Sequence, residues 1–366
     1  MTFNDIKATR IRQLVPVAIS TEKAVLLEKA ITEEEIKETL FSMKSNKAPG
    51  HDGFSAEFFK AAWHVVGKEV VAAIKGIFIF GLLLKDVNAT ILTLMPKKIN
   101  PSAMGDFRPI ACCNVIYKCI TKIISNRMLP LIGDLVSMNQ YAFIPSRSIS
   151  ENVLLAQEIV RNYHKGIGKP RCTLKIDLMK AYNLVNWEFL ICCLHYFGFP
   201  KKFVSWIQEC VTSPRFSVCL NGSLVGYFEG KKGLRQGGPL SPYLFVLAME
   251  VLSKILAVTT GPGSGFKYHP YCLKMKLTHL CFAYDLLIFS KASQSSIGVI
   301  KSTLAEFEEL SGLKANTTKS FFFCSGIYDR IKYVLLQNLQ MQEGKFPVRY
   351  LGVPLISTKL SATDCE

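Results

Sequence analysis

The chain is 366 residues long with 49% hydrophobic and 20% charged residues, a balance that supports a full buried core and excludes a disordered chain or a small disulfide-stapled fold. Lys and Arg number 44 against 28 Asp and Glu, for a formal charge of +16 and a pI near 9.3; this favours a polyanionic partner, nucleic acid first, over a merely solvated basic surface. The twelve cysteines show no C-x-x-C or Cys/His zinc spacing, so they are read as reduced core residues.

Taken in chain order, Thr32 followed by Glu35 is a capping-box pattern, and Ile36, Leu40 and Met43 share one face. This predicts a helix ending before Lys47-Ala48-Pro49-Gly50. Residues 56–80 read as mostly helical, and 87–94 as β-rich, stopping at Pro96 with Lys97 and Lys98 just beyond. Helical patterns recur at 117–128 and 151–164. Residues 172–178 read as a strand carrying the acid Asp177 near its end. Segments 216–220 and 224–228 flank Asn221-Gly222, the strongest short hairpin signal in the chain. Ser241-Pro242 then caps a long apolar helix. That helix includes the longest apolar run, Tyr243 to Val258, but carries Glu250 and Lys254, so no membrane span is expected. No signal-like leader opens the chain, and the expected setting is intracellular, nuclear or cytoplasmic.

Residues 280–283 and 286–289 read as two strands with Tyr284 and Asp285 at their tip, where neither Gly nor Asn eases the turn. Chemistry rather than turn propensity accounts for an acid there. A last helix is predicted over 297–310, stopped by Ser311-Gly312. Helices and short antiparallel strands mixed without βαβ regularity or internal repeats predict an α+β fold.

Six segments occur in a telling order: Lys47-Ala-Pro-Gly-His-Asp-Gly-Phe54, Asp106-Phe-Arg-Pro-Ile110, Lys175-Ile-Asp-Leu-Met-Lys-Ala-Tyr182, Gly233-Leu-Arg-Gln-Gly-Gly-Pro-Leu-Ser-Pro242, Phe282-Ala-Tyr-Asp-Leu286 and Tyr350-Leu-Gly-Val-Pro354. Each alone is modest evidence; in this order and spacing the chain resembles the reverse transcriptases, in detail those of plant LINE-type, non-LTR retrotransposons. The resemblance implies a right-hand polymerase fold, with an N-terminal extension over 1–30, fingers over 31–170, and a palm with its catalytic hairpin over 171–290. Late palm, a primer-grip-like turn and at most the start of a thumb would follow over 291–366, the reverse transcriptase domain covering about 78–355 overall. It also implies RNA-directed DNA polymerisation, with an RNA template, a DNA primer, deoxynucleoside triphosphates and two Mg²⁺ ions.

Attack of a primer 3′-oxygen on an α-phosphate calls for cations that activate one oxygen and stabilise another, and hard Mg²⁺ takes carboxylate ligands. By resemblance, Asp177 and Asp285 are the metal ligands, and Lys319 stands near the leaving pyrophosphate as a candidate general acid. Tyr182 would lie beneath the incoming sugar and exclude a 2′-hydroxyl, while Gln236 and Gly237 approach the template base and nucleotide. Lys97 and Arg108 would hold the triphosphate, and Tyr350, Leu351 and Gly352 would grip the primer. The stretch Tyr141 to Arg147 with Glu151-Asn152 resembles a segment supporting template and fingers. Without the resemblance, Asp177 is a strand-end acid, Tyr182 a core aromatic, and Lys97 and Arg108 surface cations.

Three positions depart from the family pattern. Tyr284 stands where the hairpin usually carries a metal-binding Asp, and Asn183 and Gly238 also replace Asp. A phenol is neutral at physiological pH and a poor ligand for a hard cation, so a rate loss of at least about 10²–10³-fold is expected, by analogy with losing one oxyanion-stabilising donor. Each change is one base from an Asp codon, as in a decayed element copy with weak or no activity. The alternative is a catalytically dead nucleic-acid-binding relic. Relatives carry an endonuclease before the polymerase and further segments after it, so the chain is expected to be part of a longer element, with a full thumb missing.

Overall fold

The computed structural model describes residues 5–15 and 18–358. They fall into two compact units built from separated stretches, one comprising residues up to 15, 133–181 and 246 onward, the other 16–132 and 182–245. The boundaries expected at 170 and 290 therefore do not coincide with the units. Mixed helix and strand content is found, as the α+β expectation requires.

Eleven strands occur among the described residues: β1 Ala89–Pro96, β2 Phe107–Cys113, β3 Arg171–Ile176, β4 Arg215–Leu220, β5 Ser223–Glu229, β6 His279–Phe282, β7 Asp285–Ser290, β8 Phe321–Ser325, β9 Gln342–Glu343, β10 Val348–Tyr350 and β11 Val353–Leu355. In the unit containing 182–245, four strands form a sheet in the order β2-β1-β4-β5, with β1 antiparallel to β2 and parallel to β4. The Asn221-Gly222 turn joins β4 to β5, both residues at positive φ as its residue types demand. Thr32 caps the helix Glu33–Phe41 by accepting the Glu35 N–H. The helix expected over 56–80 splits at Ala62 into Ala56–Ala61 and Trp63–Phe80. Two helices that the periodicity reading passed over, Trp187–Phe197 and Lys201–Thr212, bring Phe189, Phe197, Phe203 and Ile207 into this unit's core.

The other unit is built on a five-stranded sheet in the order β6-β7-β3-β8-β9. β3 lies between β7 and β8, antiparallel to both, with Leu174 opposite Ile288 on one side and Phe322 on the other. Because β3 is covered on both faces, Cys172, Thr173, Leu174 and Ile176 are all buried, which is why its sequence reads as an apolar run rather than an alternation. One face packs Leu287, Phe289 and Phe323 against Ile159, Val160 and Tyr163.

The helix expected over 151–164 runs from Ile149 to Val160, opened by a Ser148–Glu151 capping box and stopped where Asn162 turns to φ 64°. The two charges on the apolar helix Ser241–Thr259 are also accounted for: Glu250 pairs with Lys254 at 3.1 Å and accepts the Ser137 N–H at 3.0 Å. That helix has the length and hydropathy of a membrane span, but its most apolar window is 67% buried within the protein. The described cysteines are unpaired, and burial pushes Cys172 and Cys210 up to about 12, which keeps both thiols protonated.

His269 and His279 are buried in this same unit, and loss of hydration holds them down to about 3 and about 4. His279 bonds the Ser253 and Thr278 hydroxyls at 3.0 and 2.8 Å. Below about pH 6.5 the unfolded chain takes up protons that these rings refuse, so stability is complete above that pH and falls as acid is added. Urea unfolding from about pH 7 to about pH 5 is expected to show a loss on the order of 2 kcal/mol per histidine. The loss shrinks in His279→Asn, and an unchanged pH profile in that variant counts against a neutral buried His279.

Candidate active site

The β6–β7 pairing sets Phe282 opposite Asp285. The two-residue turn is therefore Ala283-Tyr284, and Asp285 is the first residue of β7 rather than part of the tip. The shift from the sequence expectation has a backbone cause: Ala283 takes φ 54°, the positive φ that a two-residue hairpin turn needs at its first position. In the β3–β7 ladder Ile176 lies opposite Leu286. Continuing that register by one residue sets Asp177 opposite Asp285, on the face that also carries Lys175. Both carboxylates are half-buried, and Tyr284 stands at the exposed turn.

The electrostatics follow from this pairing. Burial raises the Asp285 carboxyl above the usual carboxylate range, the Asp177 charge raises it further, and the Lys175 ammonium opposes both. Two carboxylates from adjacent strands supply the hard oxygen donors that Mg²⁺ takes, and a cation between them would relieve their repulsion. This donor set fits one divalent cation. For a second it is short by one acid, because Tyr284 offers a neutral phenol; among the described residues no three His, Cys, Asp or Glu side chains gather into a metal cluster.

Neighbouring segments of the same unit hold these acids in place. The Asp177 N–H donates to Ser320 Oγ at 3.1 Å, and its carbonyl accepts the Asn316 N–H at 2.7 Å. The Ser320 hydroxyl in turn donates to the Asn316 carbonyl at 2.7 Å. Exposed Lys319 precedes Ser320, so the loop that fastens the end of β3 also carries that lysine. The Tyr350 hydroxyl donates to Asn152 Oδ1 at 2.6 Å, and Asn152 Nδ2 donates to the Cys281 carbonyl of β6 at 3.2 Å. Tyr350 is 2% exposed, so its ring anchors the core, and the turn presents Leu351 and Gly352 at φ 50° and 90°. Lys175, Ser320 and the buried Gln140, which bonds Ala283, were not singled out from sequence. Their roles lie in hydrogen bonds and charges across the fold that no local pattern records.

The remaining expected residues belong to the other unit. Lys97 follows β1, its Nζ donating to the Gly105 carbonyl at 2.9 Å, and Arg108 lies on β2 opposite Met95. Both side chains are exposed. Between them Asp106 is held down to about 2 by Lys98 and by the Ser102 and Ala103 N–H groups. The Gln236 carbonyl accepts the Ala111 N–H of β2 at 2.9 Å, and Gly237 takes φ 103°. Tyr182 stacks on Phe245 at 4.7 Å, and its carbonyl accepts the Leu234 N–H. Asn183 is exposed, whereas at buried Gly238 a Cβ would meet Ser241 Oγ at 3.1 Å. Asn183 and Gln236 line a cavity of about 310 Å³ together with Trp187, Phe216 and Arg235, the Arg235 guanidinium lying 4.0 Å from the Tyr117 ring centre.

Residues 95–355 match the family described as reverse transcriptase (RNA-dependent DNA polymerase). Among curated proteins, the transposon TX1 uncharacterized 149 kDa protein of Xenopus laevis is 30% identical over 63% of this chain and 18% of its own length. A retrovirus-related Pol polyprotein from the type-2 retrotransposable element R2DM of Drosophila melanogaster is 26% identical over 80% of this chain and 26% of its own length. The chain thus spans about a quarter or less of these relatives. An uncharacterized mitochondrial protein of Arabidopsis thaliana is 39% identical over 66 residues, 18% of this chain and 54% of that protein.

The raised Asp285 carboxyl carries a stability consequence. The unfolded chain gives up this proton more readily than the folded one, so stability falls as pH rises from about 4 through the folded value. Without divalent cations, Asp285→Asn is expected to melt above the unaltered chain at neutral pH and no higher at about pH 3. Identical melting of the two at neutral pH would contradict a burial-raised Asp285 carboxyl.

Proposed function

The chain belongs to the reverse transcriptase (RNA-dependent DNA polymerase) family, and from that premise we propose that it is a polymerase domain of the non-LTR retrotransposon type whose chemical step is disabled at one metal ligand. The observation carrying this reading is that the β3–β7 ladder ends with Ile176 opposite Leu286, so that Asp177 and Asp285 come next on the two strands while Tyr284 occupies the adjoining turn. In a right-hand description the five-stranded sheet serves as palm, the β1–β2 hairpin belongs to the fingers, and the segment from 291 onward supplies late palm and the primer-grip-like turn. Residues 359–366 of that segment lie outside the described residues.

The residue roles follow from their chemistry. Asp177 and Asp285 would hold Mg²⁺, which when bound activates the attacking primer oxygen and stabilises the leaving one. Lys97 and exposed Arg108 suit a triphosphate, the first as a point charge and the second as a planar fork. Tyr182, its ring backed by Phe245, would close the space for a 2′-hydroxyl, and Gln236 with Gly237 would lie along the template base and nucleotide. Lys319 would protonate the leaving pyrophosphate. The turn at Leu351-Gly352 would meet the primer through backbone, since the Tyr350 ring is buried. RNA template, DNA primer and deoxynucleoside triphosphates are the partners, in an intracellular setting, and the +16 charge suits them. A second reading, a nucleic-acid-binding relic without enzymatic role, is favoured by Tyr284 and by that same charge.

Primer extension on an RNA template with Mg²⁺ or Mn²⁺ separates these readings. Tyr284→Asp is expected to extend at least about 10²–10³-fold faster than the unaltered chain, and Asp177→Ala to abolish extension in either background. Equal rates for the unaltered chain and Tyr284→Asp would sink the disabled-ligand reading. Salt-sensitive primer-template binding without extension in any variant would favour the relic.

A further inference from the structure

A two-residue turn leaves the polar backbone groups of its first residue outside the strand ladder, and burial makes that costly unless they find partners. At Ala283 one side chain supplies both. Gln140 Oε1 accepts the Ala283 N–H at 2.9 Å, and Gln140 Nε2 donates to the Ala283 carbonyl at 3.3 Å. The amide is itself fixed, because the same Oε1 accepts the Ala142 N–H at 3.0 Å. The Gln140 carbonyl accepts from Arg147 at 2.6 Å, and Gln140 is only 2% exposed.

Its backbone is tied to the hairpin as well. Gln140 bridges Cys281 in parallel register, with Cys281 N–H donating to the Asn139 carbonyl at 2.7 Å and Tyr141 N–H to the Cys281 carbonyl at 2.9 Å. The side chain then reaches past β6 to the turn. Ala283 is not glycine yet holds φ 54°, a conformation L-residues seldom adopt unless their surroundings impose it. The residue that imposes it also sets the aim of the next two, Tyr284 and Asp285.

We propose that Gln140 is the positioning residue of the metal-binding hairpin, its amide clamping Ala283 so that Asp285 and position 284 face Asp177 in a geometry able to hold a divalent cation. This rests on the reading of Asp177 and Asp285 as metal ligands. A neutral amide suits this role, because it orients the turn without adding a cation that would compete for the carboxylates or an acid that would repel them. Groups that orient metal ligands from behind, when removed, cost 10–100-fold in metal affinity.

The test is Mn²⁺ binding followed by the loss of the free-ion electron paramagnetic resonance signal, in the Tyr284→Asp protein. Gln140→Met keeps the side chain's volume and removes both hydrogen-bonding atoms; it is expected to weaken binding by about 10-fold or more. If that variant does not fold, Gln140→Asn keeps the amide but withdraws it from Ala283, with the same expected loss. The control is Gln157→Met. Gln157 makes an equivalent two-bond clamp, to the Ile356 carbonyl at 2.6 Å and the Ile356 N–H at 3.1 Å, away from the hairpin. It is expected to lower thermal stability as Gln140→Met does while leaving Mn²⁺ affinity within about twofold, unlike the orienting group. Equal affinity in the parent and a folded Gln140 variant overturns the proposal, as does an equal loss in Gln157→Met. Parent binding that Asp177→Ala does not reduce overturns the metal-ligand reading itself, and this inference with it.

Discussion

The register of β3 against β7 is the constraint on which the rest of the site depends. With Leu174 opposite Ile288 and Ile176 opposite Leu286, the two acids that follow the ladder outward meet side by side. A slip of one residue would turn every side chain of one strand to the wrong face, separating Asp177 from Asp285. Packing enforces the register, because β3 is covered on both faces: Leu174, Ile288 and Phe322 align across the sheet on one, and Thr173, Phe289 and Phe323 on the other. Burial raises the Asp285 carboxyl, Lys175 opposes it, and the Asp177 charge adds to the rise.

Around this strand pair, loops are held by buried polar side chains that bond backbone. Ser320 takes the Asp177 N–H, Asn152 reaches the Cys281 carbonyl, and Gln140 takes both polar groups of Ala283. Arg147 gathers the Ser137, Gln140 and Val136 carbonyls of the preceding loop. Such bonds contribute modestly when made and cost more when one partner is lost. They therefore give precision at the end of the sheet that carries Asp177 and Asp285, where apolar packing ends. Apart from Arg147, these side chains are neutral and add no charge beside Asp177 and Asp285.

Tyr284, Asn183 and Gly238, read from sequence as departures from the family pattern, lie where the fold can absorb them. Tyr284 projects from an exposed turn and Asn183 is exposed, so neither change opens a cavity nor strands a buried charge. Gly238 is buried, but a side chain there would press only on the Ser241 hydroxyl. Residue choice at positions 183 and 284 and retention of the fold are thus physically independent.

Much of the architecture was legible in the sequence because its signals are local. Thr32 and Ser241-Pro242 announce helix starts through the hydrogen-bonding and φ preferences of those residue types, Asn221-Gly222 announces a turn through its tolerance of positive φ, and the apolar run ending at Asp177 announces a strand. The ordered segments around Asp177, Gln236 and Asp285 identified the family and its candidate acids. Local pattern could not show the hairpin's register, since Ala283 takes its positive φ with a side chain more than a hundred residues away satisfying its backbone. Nor could it show that Tyr350 is a buried anchor, that Lys175 faces Asp285, or that Ser320 holds the end of β3. By itself the sequence determined the family, the order of the elements and the candidate residues they carry, because propensity, periodicity and motif spacing act over a few residues. Only the tertiary structure decided how the acids are aimed and what holds them, because a hydrogen bond between distant segments exists only once the chain has folded.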